Sequence, residues 1–200
     1  TIVRDKNTSA SDYITYADRL CNILAEEGLA YLPTVTDVEV ETPCGTYAGL
    51  KVPAYTSMCA VSIMRSGDIL LEAVRKVALG IAVGKILIQR DEEDPEKRAK
   101  LFYSKLPKDI ASRQVLVVDP MVATGGSVIR AIKVLIDAGV PEANITFLNV
   151  VSCPEGLRAL YAAYPAIRTI TAALDEKLNE DKYIVPGLGD FGDRYYSTEG

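Results

Sequence analysis

Residues 115–138, VLVVDPMVATGGSVIRAIKVLIDA, hold a strand, an acidic turn, a loop of small residues and a helix in immediate succession. Val115, Leu116, Val117 and Val118 form an unbroken aliphatic run, the pattern of a strand buried on both faces of a parallel sheet. Asp119-Pro120 stops it. From Val128 the apolar residues Ile129, Ile132, Leu135 and Ile136 recur at helical spacing, Arg130, Lys133 and Asp137 take the other face, and Gly139 stands as a C-terminal cap. Between strand and helix lie Ala123, Thr124, Gly125, Gly126 and Ser127. Small side chains let the main chain approach a bound anion, and the first N–H groups of a helix lack intrahelical partners, so they and the helix dipole point at it. That chemistry suits a monophosphate. A triphosphate P-loop would need Lys-Ser/Thr after the glycines, and the G-x-G-x-x-G of a dinucleotide site is absent. A tight strand-to-helix turn that binds nothing would use the same glycines. Asp119 favours a site: the C-terminal end of a buried parallel strand is where open α/β sheets place ligands, and a carboxylate there can accept hydrogen bonds from vicinal sugar hydroxyls.

Composition limits the chemistry. Two hundred residues, 48% of them hydrophobic, can bury one substantial core, and the simplest reading is a single domain over 1–200. The net charge of −5 provides no overall basic field for nucleic acid. No apolar window of about 18 residues and no charged-then-apolar leader is found, so the expectation is a soluble, cytoplasmic protein without a membrane partner. The first residue is Thr rather than Met, which points to a trimmed N-terminus. Cys21, Cys44, Cys59 and Cys153 are scattered, with no C-x-x-C pair. Histidine is absent, which excludes Ser-His-Asp and Cys-His hydrolysis, H-E-x-x-H metal sites and imidazole acid/base catalysis. Catalysis must rest on carboxylates, Arg/Lys, tyrosine, main-chain dipoles or a metal held by oxygen.

Outward from the central stretch, strands and helices alternate. Ser9 or Ser11 caps a first helix over 12–27, ended by Gly28, and Leu32-Pro33 breaks the chain. Residues 34–42 alternate as a half-exposed strand, 43–46 turn, and 47–52 return as a hairpin partner. Residues 58–64 read as a central strand ending in Arg65-Ser66-Gly67-Asp68, with a helix closing at Gly80. Arg65 is either a surface charge or an anion ligand, since a guanidinium grips phosphate as a fork. Residues 85–90 form another strand, a charge run occupies 91–98, and 101–106 alternate as a return strand, so 85–106 is either a solvated hairpin or a mobile lid. Strands at 144–151 and 167–174 flank a helix at 154–164. The alternation predicts an α/β fold with a parallel sheet flanked by helices. The segment 181–195, DKYIVPGLGDFGDRY, has the glycines of a loose tail but also Ile184, Val185, Leu188, Phe191 and Tyr195, which a disordered tail should lack.

These motifs converge on one resemblance. The turn Asp119-Pro120-Met121 with Ala123-Thr124-Gly125-Gly126-Ser127 resembles the 5-phosphoribosyl 1-diphosphate (PRPP) motif of type I phosphoribosyltransferases. Most members carry two adjacent acids there; one acid followed by proline points to the uracil branch. SIMRSG at 62–67 is similar to that branch's pyrophosphate loop, KILIQRDE at 85–92 agrees, and YIVPGLGDFGDRY is similar to the uracil-binding loop of eukaryotic-type members. The resemblance implies a β-hairpin lid over 85–106, a small hood, a uracil loop over 182–195, and uracil plus PRPP giving UMP and diphosphate. It implies PRPP contacts from Arg65, Arg90, Asp119, Pro120, Met121, Val122, Ala123, Thr124, Gly125, Gly126, Ser127 and Asp190. Arg65, Arg90, Asp119 and Asp190 then carry the catalytic charges. For uracil it implies Ile184, Gly189 and Phe191 through their main chain, together with Asp190, and Tyr183 beside the ring's C5 position. Magnesium enters as cofactor, held mainly through PRPP and water rather than by a direct protein cage. GTP is implied as an effector in some members, and the assembly as a homodimer or homotetramer. The chain departs from the family pattern over 195–199. A transferase for another base remains open, as does an RNA-binding, uridine-nucleotide-sensing regulator on the same fold, although the regulator should show a basic face and the acidic composition argues against one.

Overall fold

A computed structural model describes residues 1–32, 35–51, 54–90 and 99–198. Predictions that fall elsewhere lie outside the described residues: the break at Pro33, the strand ends at Thr34 and Val52, the charge run over 91–98, Glu199, and the side chain of Arg90.

Helix α1 runs Ala10–Ala30 and is capped by Ser9, whose Oγ accepts from the Asp12 N–H at 3.1 Å. It passes through Gly28 rather than stopping there, because Gly28 is buried at a point where a Cβ would collide with the Leu148 side chain. Strands β1 (Thr36–Thr42) and β2 (Gly45–Lys51) pair as the expected antiparallel hairpin, with Val40, Tyr47 and Leu50 exposed.

The main sheet starts at β3 (Met58–Met64), followed by α2 (Gly67–Val77), β4 (Ala82–Arg90) and β5 (Ala99–Lys105). Strand β4 begins three residues before the predicted start. Gly84 hides the strand pattern, yet it packs where a Cβ would meet Leu106 at 2.9 Å and Val61 at 3.0 Å. Next come β6 (Gln114–Val118), β7 (Met121–Val122), α3 (Gly126–Asp137), β8 (Ile145–Ser152), α4 (Pro154–Ala163) and β9 (Arg168–Leu174). The sheet order is β5-β4-β3-β6-β8, with β7 continuing the β6 side of β8 and β9 pairing along its other edge. All pairs are parallel except β4 with β5, the hairpin predicted for the lid.

Alternate residues of the strands feed two cores. Met58, Ala60, Leu116, Val118 and Leu148 meet α1 and α2, while Val61, Val115, Val117 and Phe147 meet α3 and Leu160 of α4. Burial on both faces explains the unbroken aliphatic runs in sequence. Strands β10 (Lys177–Leu178) and β11 (Ile184–Val185) form a second small antiparallel pair, and α5 (Phe191–Tyr196) closes on α1, with Phe191 edge-on to Tyr13 at 5.7 Å. No helix among the described residues is long and apolar enough to cross a membrane.

Candidate active site

Adjacent strands β3 and β6 end side by side, and each runs into a turn that opens a helix. After β6 the chain bulges at Asp119-Pro120: the Asp119 N–H donates to Leu148 O at 3.3 Å, and Pro120 O accepts from Val150 and Val151 at 2.9 and 3.0 Å. Met121 and Val122, for which the sequence pattern predicts no element, then pair with Val151 and Ser152 as a short strand that leads into the 123–127 loop. Gly125 adopts φ +83, a left-handed conformation that glycine tolerates, and α3 starts at Gly126. The loop is backed from outside the cleft. Cys153 Sγ contacts Ala123 O at 3.0 Å, and Gly156 sits so close to Ala123 O that no side chain fits between them.

A cleft of about 240 Å³ opens above these turns. Its walls include Asp119, Met121, Val122, Ala123, Thr124, Gly125, Gly126 and Ser127 together with Tyr183, Ile184, Gly189 and Asp190. The two predicted loops, about sixty residues apart in sequence, therefore share one cavity. Ala99 at the foot of the lid hairpin and Lys182 also line it. The sequence motifs include neither: alanine carries no signal beside the charge run, whereas a lysine next to Tyr183 in the glycine-rich segment is a cue.

The electrostatics centre on Asp119. Burial pushes its carboxyl up to about 7; a Ser66 Oγ bond of 3.3 Å and the Met121 N–H pull the other way, and the nearby Asp190 charge adds to the rise. Asp190 caps α5, its Oδ1 accepting from the Asp193 N–H at 2.8 Å. Pro120 is buried, and the Phe191 ring lies in the core between Tyr13 and Tyr195, so Phe191 can offer a ligand only its main chain.

Arg65 stands outside the cleft lining. Its guanidinium pairs with the Asp193 carboxylate, donates to Thr198 Oγ1 at 2.9 Å and lies 5.5 Å over the Tyr196 ring. The segment that departs from the family pattern thus engages the arginine assigned to pyrophosphate. Arg90 ends β4. Cys21 and Cys59 are buried with thiols pushed up to about 12, which leaves them unreactive.

Comparison with known proteins agrees with this geometry. A sequence model of the family described as uracil phosphoribosyltransferase matches residues 1–198. The uracil phosphoribosyltransferase of Dictyostelium discoideum is 48% identical over 200 residues, covering 100% of this chain and 90% of that protein. The solved structure of the AQ2163 protein from Aquifex aeolicus superposes with a TM-score of 0.82 at 29% identity, covering 98% of this chain and 91% of the other. A purine phosphoribosyltransferase from Pyrococcus horikoshii shares the fold alone, at a TM-score of 0.51 and 14% identity over 82% of this chain and 88% of that one. The α/β fold is therefore that of the type I phosphoribosyltransferases, and the chain belongs to the uracil phosphoribosyltransferase family.

Proposed function

We propose that this chain transfers a phosphoribosyl group from PRPP to uracil, giving UMP and diphosphate. The observation that carries the reading is that Thr124 and Gly189 line one cleft. The 5′-phosphate lies at the start of α3, where the N–H groups of its first turn are free of intrahelical partners. Asp119 accepts from the ribose hydroxyls at the neighbouring strand end. Uracil presents two carbonyl acceptors around an N–H donor, which exposed main-chain groups near Gly189 complement.

In the transfer, the bond from ribose C1 to the pyrophosphate oxygen breaks, the bond from C1 to uracil N1 forms, and the N1 proton passes to the departing diphosphate or to water. Positive charge grows on the ribose ring and negative charge on the departing diphosphate, so the protein's work is positioning and electrostatic stabilisation. The carboxylate of Asp119 faces the sugar; Asp190 stands between the sugar and base sides. Arg65 and Arg90 receive the diphosphate charge, Arg65 after leaving Asp193.

Magnesium fits the donor set, because Asp119 and Asp190 bring two hard oxygen ligands to one lining and the charge on Asp190 disfavours a second negative charge on Asp119. Those two residues would hold it, largely through water and PRPP oxygens, and when bound it neutralises diphosphate charge. A homodimer or homotetramer would cover the exposed Val40, Tyr47 and Leu50 of the β1–β2 hairpin.

Conversion of radiolabelled uracil, assayed with and without PRPP, tests the reading. UMP should form only when both are present, and cytosine, hypoxanthine and orotate should be poor acceptors. Faster conversion of any of those three would replace the reading with a different base specificity.

A further inference from the structure

Two arginines far apart in sequence grip the outer side of the base loop. Arg4 Nη1 donates to Gly187 O and to Asp175 Oδ2, both at 2.8 Å, and Arg4 Nη2 donates to Asp175 Oδ1 at 2.6 Å. Asp175 Oδ2 also accepts from the Gly187 N–H at 2.8 Å, so one buried carboxylate and one guanidinium take both main-chain groups of Gly187. Arg194 takes the next carbonyl. Its Nη1 donates to Leu188 O at 2.6 Å and to Val3 O at 2.7 Å, its Nη2 donates to Asp5 O at 2.7 Å, and the guanidinium lies 4.3 Å over the Tyr13 ring.

The neighbouring residue, Gly189, lines the cleft, and no hydrogen bond among the described residues uses its N–H or C=O. Gly187 and Gly189 have φ values of +62 and +81, so the segment turns tightly between its clamped side and its cleft side. Bidentate guanidinium bonds fix direction as well as position, and a side chain held this way transmits its placement to the adjoining peptide. The Arg4 and Asp175 pair could serve stability alone, but then its loss would not single out one substrate.

We infer that Arg4 and Arg194 are positioning residues for base recognition: they anchor the loop to the 3–5 segment so that Gly189 presents its main chain to the pyrimidine. This rests on the uracil reading above. It gives the N-terminal segment a share in uracil affinity, although none of those residues touches the cleft.

The experiment measures KM for uracil and for PRPP, together with amide hydrogen exchange, in the full chain and in Arg4→Ala and Arg4→Lys. Loss of the charged hydrogen bonds should raise KM for uracil about tenfold in Arg4→Ala. KM for PRPP should stay within about twofold, the scatter expected of a site left intact. Arg4→Lys, which keeps a donor for Gly187 O, should fall between, and it replaces the alanine variant if that one does not fold. Exchange at Gly187, whose N–H is bonded to Asp175, should quicken while Val117 in β6 keeps its protection. Equal rises in both KM values, or unchanged exchange at Gly187, would overturn the inference. If the wild-type chain failed to convert uracil, the proposed function would fall, and the exchange at Gly187 would still decide whether the clamp exists.

Discussion

Ser66 Oγ donates to Asp119 Oδ1 at 3.3 Å, joining the turn after β3 to the end of β6. Ser66 stands at the N-cap of α2, yet its hydroxyl makes no capping bond to that helix. Serine at this position ordinarily satisfies a helix N–H, worth about 1 kcal/mol. Here it serves a half-buried carboxylate whose burial has pushed it up to about 7. Burial thus moves the titration of Asp119 from the ordinary carboxylate range toward neutrality.

Asp119→Asn should separate activity from stability. Turnover should fall about 100-fold or more, because the amide cannot offer the negative charge that the proposed reaction asks of Asp119. The folded protein should gain stability on the order of 1–2 kcal/mol at pH 8, a Tm rise of about 2–8 °C, since a desolvated charge is removed. Steady-state kinetics and thermal melts at pH 8 measure both, and a variant that lost stability along with activity would contradict this account of Asp119.

The same residue sets a pH dependence. Its folded pKa is raised, so the folded state binds a proton that the unfolded chain has already released between the ordinary carboxylate value of 3.8 and about 7. This contribution makes stability decline as pH rises through that window. Activity moves in the opposite direction: kcat/KM for PRPP should fall on the acid side with a midpoint near 7, which reports the free enzyme, and Asp119→Asn should flatten that limb. An acid limb retained in the variant would assign the titration elsewhere.

Gly156 lies outside the cleft but directly behind Ala123 O, where a Cβ cannot fit. Gly156→Ala should push the 123–127 loop toward the cleft, lowering kcat/KM for PRPP about 10- to 100-fold, as misplacement on the ångström scale does. KM for uracil at saturating PRPP should move far less. If the two change together, the backing contact is not specific to phosphate binding.

Asp193 pairs with Arg65, and under the proposed function it competes with pyrophosphate for that guanidinium. The Thr198 hydroxyl and Arg65 hold the Asp193 carboxyl below the usual range, so it stays charged throughout neutral pH. Asp193→Asn should lower KM for PRPP about two- to fivefold at low salt, the scale of an exposed ion pair, and the difference should shrink at high salt. A rise in KM would mean that the pair orients Arg65 productively instead of holding it back.

The buried strands were legible because an unbroken aliphatic run has few other uses, and the strand-to-helix turn because its glycines stand between such a run and a helical repeat. The 58–64 and 115–118 runs are doubly buried, and Gly125 sits where its φ of +83 requires glycine. What the sequence concealed depends on neighbours distant in the chain. Gly28 reads as a helix stop but is an interior contact with Leu148, and Met121-Val122 carries no strand signal until β8 supplies its pairing edge. The attachment of Arg65 to Asp193 and Thr198, of Arg4 to Gly187 and of Arg194 to Val3 joins residues more than 120 positions apart through geometry that no local pattern encodes.

The most direct test of a shared cleft is a crystal structure of the chain with UMP. The phosphate should lie within hydrogen-bond distance of the 125–127 N–H groups while the uracil ring meets the main chain at Gly189. UMP seated elsewhere, or bound with its base away from Gly189, would contradict the account.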